Sequence, residues 1–184
     1  MTKVFIGGSR RVSRLNDDVK RRIDRIIEQG FPVIIGDANG ADKAVQQYLK
    51  SRGYNAVEVF CSGDECRNNL GKWPVRAVDA GQTRKDFSFY AAKDEQMARE
   101  ASVGLMIWDG KSAGTLANAA RLVRQEKKVV VYSAPVKRFL TLKAEADWEH
   151  LMSTCGRDVQ EKILRSVSGA SHLPDTKQEG LLNI

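Results

Sequence analysis

Three short loops in the sequence combine glycines with hydroxyl-bearing and charged residues. They are "GGSRR" (7–11), "GDANGAD" (36–42) and "DGKSAGT" (109–115), and each follows an apolar segment. Glycine lets a ligand approach the backbone closely, and the first turn of a helix leaves N–H groups that can hold phosphate. One such loop is as well explained by a tight turn between a strand and a helix. Three of them at one edge of a sheet favour a site for a phosphorylated ligand.

The charged residues of these loops suggest separate tasks. Arg10 or Arg11 suits a bidentate contact with phosphate. Asp37 and Asp42 suit hydrogen bonds from ribose hydroxyls, although Asp42 equally suits a cap for the following helix. Asp109 would repel phosphate and is interpreted as a turn residue. The predicted ligand-binding residues are Gly7, Gly8, Ser9, Arg10, Gly36, Asp37, Gly40, Asp42, Gly110, Ser112, Gly114 and Thr115.

The sequence lacks the fingerprints of several large enzyme classes. "GGSRRV" has no third glycine for G-x-G-x-x-G, no G-K-[ST] follows a glycine-rich loop, and no G-x-S-x-G elbow occurs. Kinases, P-loop NTPases and ordinary dehydrogenases are therefore disfavoured. Two histidines and three cysteines without C-x-x-C spacing give no zinc pattern, so we predict neither a metal nor a cofactor.

The net charge of +7 and a pI near 9.4 favour anionic partners. The basic residues are dispersed rather than interleaved with aromatic residues, so a nucleotide is preferred and nucleic acid is the less favoured partner. The N-terminus begins at once with an apolar segment too short for a signal peptide. No apolar run approaches membrane-spanning length. A cytoplasmic protein with reduced cysteines is the simplest interpretation.

Strand-like and helix-like segments alternate through most of the chain. Continuous apolar strands of this kind are typical of a parallel sheet covered on both faces. We expect an α/β fold, a Rossmann-like three-layer α/β/α sandwich with a mostly parallel sheet of about five strands, plus C-terminal helices. The predicted strands are 3–6, 31–36, 56–60, 103–108 and 128–133, and the predicted helices are 15–30, 40–53, 84–102, 114–126 and 143–168. In such a sheet the three loops meet at the carboxyl edge, where ligands bind.

The chain divides into three predicted parts. Residues 1–133 form the nucleotide-binding domain, residues 134–168 a helical extension packed on it, and residues 169–184 a mobile tail without periodicity. Residues 61–83 give no clear secondary-structure prediction.

The order of these loops resembles the SLOG superfamily of Rossmann-like nucleotide-binding proteins. The resemblance rests on "FIGGSR" (5–10), "GDANGAD" (36–42), "KDEQM" (93–97) and "DGKSAGT" (109–115), and it covers about residues 1–133. The superfamily includes YspA-like proteins, LOG phosphoribohydrolases and DprA proteins. The second loop, "GDANGAD", favours the YspA-like branch. The resemblance implies nucleotide binding, and because relatives often pair it leaves a homodimer open.

The resemblance also bears on catalysis. LOG enzymes cleave an N-glycosidic bond with an arginine and a glutamate, whose positions fall here on Lys93 and Asn118. Lysine lacks the planar guanidinium fork, and asparagine cannot act as a general base. Nucleoside deoxyribosyltransferases also resemble the third loop, and their glutamate falls on the same asparagine. A catalytic carboxylate from Asp86, Asp94 or Glu95 is the alternative.

The sequence thus supports three hypotheses about function. The preferred one is a sensor or carrier that binds a nucleotide. The first alternative is an N-glycosidic hydrolase or transferase acting on nucleoside monophosphates or nucleosides. The second is DprA-like binding of nucleic acid.

Overall fold

The apolar runs of the sequence become strands of one sheet in the computed structural model, which describes residues 1–63, 65–78 and 87–168. The sheet has seven strands in the order β4-β3-β2-β1-β5-β6-β7, and all neighbours pair in parallel except β6 and β7. The strands are β1 (Val4–Gly8), β2 (Val33–Gly36), β3 (Val57–Ser62), β4 (Val75–Val78), β5 (Val103–Trp108), β6 (Val129–Ser133) and β7 (Arg138–Leu142).

Helices cover both faces of this sheet. They are α1 (Asp17–Glu28), α2 (Ala41–Ser51), α3 (Phe87–Glu100), α4 (Ala113–Arg124), α5 (Glu145–Ser153) and α6 (Arg157–Ser168). Successive residues of a strand point to opposite faces. Ile6 accordingly packs with Val19 and Val45 of α1 and α2, whereas Phe5 packs with Met97 and Leu116 of α3 and α4. The predicted α/β three-layer sandwich with a mostly parallel sheet is confirmed.

Local signals place the ends of α1 as expected. Asn16 caps the helix, and its side chain accepts a hydrogen bond of 2.7 Å from the backbone N–H of Asp18. Gly30 follows the helix with a φ of 63°, a conformation that glycine adopts without a steric penalty.

The number of strands differs from the prediction of about five. β4 lies within the stretch that gave no prediction, and β7 follows Ser133, where the alternation was expected to stop. Both are edge strands, and most of their residues are exposed or half-buried. An edge strand with little burial carries no continuous apolar run, so the pattern that revealed the central strands was missing.

The C-terminal segments pack against the same structure. β7 pairs with β6, and Val159 and Ile163 of α6 are buried in the core cluster that also contains Leu116. The division into a domain of residues 1–133 and a helical extension stays a prediction. The predicted mobile tail, residues 169–184, lies outside the described residues.

A disulfide joins Cys61 and Cys66, whose Cα atoms are 5.2 Å apart. The expectation of reduced cysteines was wrong for this pair, because the turn after β3 brings the two residues to a distance that suits a disulfide. Cys155 is a free thiol. Within the described part of the chain, no helix combines the length and the apolar content needed to cross a membrane.

Candidate ligand-binding site

The three loops of the sequence analysis meet at the carboxyl edge of the sheet and enclose an open cavity of about 950 Å³. Helices α3, α4 and α6 complete its wall. The residues lining the cavity are Phe5, Gly7, Gly8, Arg10, Arg11, Ala38, Asp42, Arg67, Ala91, Lys93, Asp94, Met97, Asp109, Gly110, Lys111, Ser112, Gly114, Thr115, Asn118, Arg121, Gly156, Asp158, Val159 and Lys162.

Backbone segments approach one another closely at two glycines. A Cβ atom on Gly40, whose φ is 88°, would lie 2.2 Å from the carbonyl oxygen of Arg10. A Cβ atom on Gly8 would lie 2.5 Å from the carbonyl oxygen of Ile107. Gly40 is therefore required where two loops meet, and Gly8 is required where β1 lies against β5. Both requirements are structural reasons for residues that first suggested ligand binding.

Gly114 is different, because its Cβ position has no neighbour within 4 Å. It lies in the first turn of α4, two residues after the N-cap residue Ser112, and it lines the cavity. The backbone N–H groups of such a first turn have no partner within the helix. An anion in the cavity can therefore approach the positive end of the α4 dipole here without steric hindrance.

The hydroxyl groups of the same region bond mainly to each other. Ser9 Oγ lies 3.0 Å from Thr115 Oγ1 and donates to Asp109 Oδ1 at 3.1 Å. Ser112 Oγ accepts from the backbone N–H and the hydroxyl of Thr115, at 3.4 and 3.0 Å. Asp109 Oδ1 accepts from the backbone N–H groups of Lys111 and Ser112, at 2.9 and 2.7 Å. The side chain of Asp109 thus fixes the loop as a turn.

Asp37 is held by two cations away from the cavity surface. Arg67 donates to both of its carboxylate oxygens at 3.0 and 2.7 Å, and Lys93 Nζ lies 3.1 Å from Asp37 Oδ1. Burial on its own would raise the pKa of Asp37, but the hydrogen bonds from Arg67 and the charge of Lys93 hold that pKa well below its usual value. Asp37 therefore stays ionised and anchors the loop between β3 and β4.

Asp42 lines the cavity in a different electrostatic environment. It does not cap α2, since Gly40 occupies the N-cap position; its Oδ2 instead accepts a hydrogen bond of 3.2 Å from the backbone N–H of Ala38. Burial raises the pKa of Asp42 to about 6, with the charge of Lys93 acting in the opposite direction. Asp42 is therefore a carboxyl group that titrates near pH 6 rather than near its ordinary value of 3.8.

Asn118 connects two charged residues of the cavity wall. Its Nδ2 donates to Asp94 Oδ2 at 3.1 Å, and its Oδ1 accepts from Arg121 Nη1 at 2.7 Å. Lys93 Nζ lies 3.9 Å from Asp94 Oδ1. The position where the resemblance predicts a catalytic carboxylate therefore carries an amide, and a carboxylate from α3 lies within hydrogen-bond distance of it.

The structure brings most of the predicted site residues to the cavity. Ten of them line it: Gly7, Gly8, Arg10, Asp42, Lys93, Gly110, Ser112, Gly114, Thr115 and Asn118. The other four do not line it: Ser9, Gly36 and Asp37 are buried, and Gly40 is half-buried.

The structure distinguishes two of the three candidate catalytic carboxylates by their positions. Asp94 lines the cavity. Glu95 instead pairs with Arg99 on α3, at 3.3 Å. Asp86 lies outside the described residues.

Sequence reasoning missed the contributions of Arg67, Arg121 and α6. Arg67 lies in the stretch that gave no prediction, and Arg121 follows the third loop by two helical turns. The only signal for Arg121 was its spacing of seven residues from Gly114, which puts both on one face of α4. Among the described residues, no cluster of histidine, cysteine and acidic side chains could hold a metal ion.

Comparison with known proteins supports the fold. No protein-family model and no curated protein matches the chain in sequence. The crystal structure of DNA processing protein A (DprA) from Streptococcus pneumoniae matches with a TM-score of 0.58 at 15% identity. The match covers 89% of this chain and 61% of that chain, so this chain spans less than two thirds of its length. The Rossmann-like fold implied by the SLOG resemblance is thus confirmed; the YspA-like branch stays a prediction.

Proposed function

We propose that this cavity binds a nucleotide or a nucleotide-derived phosphorylated small molecule, as in SLOG proteins. The observation that carries the proposal is the open Cβ position of Gly114 at the first turn of α4, which leaves space for an anion beside the start of that helix. A phosphate group is the ligand that this arrangement suits.

The charges of the cavity wall support an anionic ligand. Seven basic and four acidic side chains line it. The basic ones are Arg10, Arg11, Arg67, Lys93, Lys111, Arg121 and Lys162, and the acidic ones are Asp42, Asp94, Asp109 and Asp158. An excess of positive charge in a concave site raises the local concentration of anions.

Thermal unfolding with the common nucleoside 5′-monophosphates tests this proposal. A ligand that binds only the folded state at a hundredfold excess over its Kd stabilises that state by about 2.7 kcal/mol. We expect at least one monophosphate to raise the Tm and the matching nucleoside to have little effect. If no member of the panel changes the Tm, the proposed function is wrong.

A second candidate function, N-glycosidic cleavage, is favoured by the contact between Asn118 and Asp94. A carboxylate beside the sugar can stabilise an oxocarbenium-like transition state. Asp94 is 26% exposed, lines the cavity and is held by the Asn118 amide at 3.1 Å. In this reaction water forms a bond to C1′, the bond from C1′ to the base nitrogen breaks, and the base leaves with a proton.

Chromatography of free base released from nucleoside monophosphates tests the second candidate, with two neighbouring carboxylates as a matched pair. We expect Asp94→Asn to lower any release by the wild type at least a hundredfold and Glu95→Gln to leave it unchanged. Equal rates in the two variants, or no release by the wild type, would exclude this use of Asp94.

DprA-like binding of nucleic acid is distinguished by its dependence on salt. Contacts with several phosphates make oligonucleotide affinity fall steeply as salt concentration rises. Tight, salt-sensitive binding of oligonucleotides without binding of monophosphates would favour nucleic acid over the proposed small ligand.

A further inference from the structure

Arg121 is a buried cation with two unused hydrogen-bond donors. It lies on α4, is 7% exposed and lines the cavity. Its Nη1 donates to Asn118 Oδ1 at 2.7 Å. Its Nε and Nη2 are screened from solvent, and among the residues that the structure describes neither has an acceptor within hydrogen-bond distance.

Burying two donors without acceptors costs free energy unless another group accepts their hydrogen bonds. Burial lowers the pKa of Arg121, and the nearby charge of Asp94 opposes that shift. A guanidinium nevertheless keeps its proton in proteins, and buried donors almost always have partners. Asp94, the carboxylate of this network, accepts from Asn118 rather than from Arg121. The residues that the structure describes thus leave these two donors for an acceptor supplied by a ligand.

The two unused donors define the shape of that acceptor. Nε and Nη2 form one edge of the planar guanidinium, and an oxyanion can accept from both at once. Because Nη1 contacts the side chain of Asn118, the guanidinium lies near the level of that residue. This level is four residues, or about 6 Å along the helix axis, from Gly114. A second oxyanion there would be separate from a phosphate at the start of α4.

We propose that Arg121 binds a second oxyanion of the ligand, a phosphate or a carboxylate, through Nε and Nη2. This inference rests on the proposed function, because it assigns the first oxyanion to the start of α4. Val159 and Lys162 of α6 line the cavity, and α6 packs on α4. Because Nε and Nη2 are screened from solvent, this binding requires α6 to shift away from α4. The ligand class is thus a nucleotide that carries a second anionic group about 6 Å from its phosphate.

Calorimetric titration with three matched probes of the same base tests the inference. The probes are nucleoside 5′-monophosphates, nucleoside 3′,5′-bisphosphates and 3′-O-succinyl esters of the monophosphates, which carry a carboxylate. We expect the wild type to bind either the bisphosphate or the succinyl ester at least tenfold more tightly than the monophosphate. The probe with the gain identifies the second anion as phosphate or carboxylate.

Two variants of Arg121 provide the control. Arg121→Gln keeps a donor for Asn118 and should remove the tenfold gain while leaving the monophosphate affinity near that of the wild type. Arg121→Lys keeps the charge without the planar fork and should reduce the gain to a few-fold. If Arg121→Gln does not fold, the affinity gain measured with Arg121→Lys alone tests the role of Arg121.

The failure of this inference differs from the failure of the proposed function. Monophosphate binding with no gain from a second anion, or a gain that persists in both variants, overturns the role of Arg121 and leaves the proposed function standing. Absence of all monophosphate binding overturns the proposed function and this inference with it.

Discussion

Lys93 Nζ lies 3.1 Å from Asp37 Oδ1, and both residues are almost fully buried, with 3% and 2% of their surface exposed. The sequence predicts a catalytic position for Lys93 and a contact with ribose for Asp37. Their contact ties α3 to the end of β2, and Arg67 adds the loop after β3 to the same carboxylate. The pair therefore holds the cavity wall in position.

Asp37→Asn should destabilise the fold strongly. Removing one partner of a buried ion pair leaves an uncompensated charge and costs about 3–5 kcal/mol. Urea denaturation at pH 7 measures this loss, with Asp17→Asn as a control because Asp17 forms an exposed pair with Lys20. A change in Asp37→Asn as small as that of the control would show that the pair adds no stability.

Asp42→Asn should change how stability depends on pH. The pKa of Asp42 in the folded protein is about 6, above its ordinary value of 3.8. A raised pKa gives stability that is complete below about pH 4 and is lost as the pH rises through 6. The difference of about 2 units corresponds to up to about 3 kcal/mol.

The asparagine variant lacks this titration. Its urea midpoint should vary less than that of the wild type between pH 4 and 7, and the variant should be the more stable protein at pH 7. Lys93, Asp94 and Asp37 also act on the Asp42 carboxyl and remain in both proteins. Parallel pH profiles of the two proteins would contradict the raised pKa.

Gly114→Val should block the ligand without unfolding the protein. The Cβ position of Gly114 is open, so a valine there fills part of the cavity beside the first turn of α4. Gly8→Val is the matched control, because a Cβ atom there would lie 2.5 Å from the carbonyl oxygen of Ile107. We expect the Gly114 variant to melt near the wild-type temperature and to lose the shift caused by monophosphates.

The Gly8 variant should lose its cooperative melting transition. Normal ligand binding by Gly114→Val would place the ligand elsewhere in the cavity. Unfolding of that variant would show that Gly114 serves only the turn.

Reduction of the Cys61–Cys66 disulfide should lower stability by about 2 kcal/mol, the loop-entropy value for a closed segment of six residues. Urea denaturation with and without dithiothreitol measures the effect. Cys66→Ser should be insensitive to the reductant, whereas Cys155→Ser should respond as the wild type does. Titration of three thiols in protein purified and unfolded without reductant would contradict the disulfide.

The sequence predicted the central strands and the main helices because their signals are local. The runs around Val4, Val33 and Val129 are apolar throughout, as expected for strands that are buried on both faces. Asn16 and Gly30 mark the ends of α1 through contacts within a few residues. The edge strands β4 and β7 were not predicted, because side chains at the edge of a sheet are little buried and need not be apolar.

What the sequence by itself determined is the layered α/β fold and the meeting of three loops at one sheet edge. Both follow from hydrophobic periodicity and from the rule that parallel strands end together. Only the tertiary structure decided what each polar residue does there. Asp37 and Asp42 lie only five residues apart in the sequence, yet Arg67 and Lys93 keep the first ionised while burial raises the pKa of the second. Their partners come from distant segments, and electrostatic energy depends on distance in space rather than on separation along the chain.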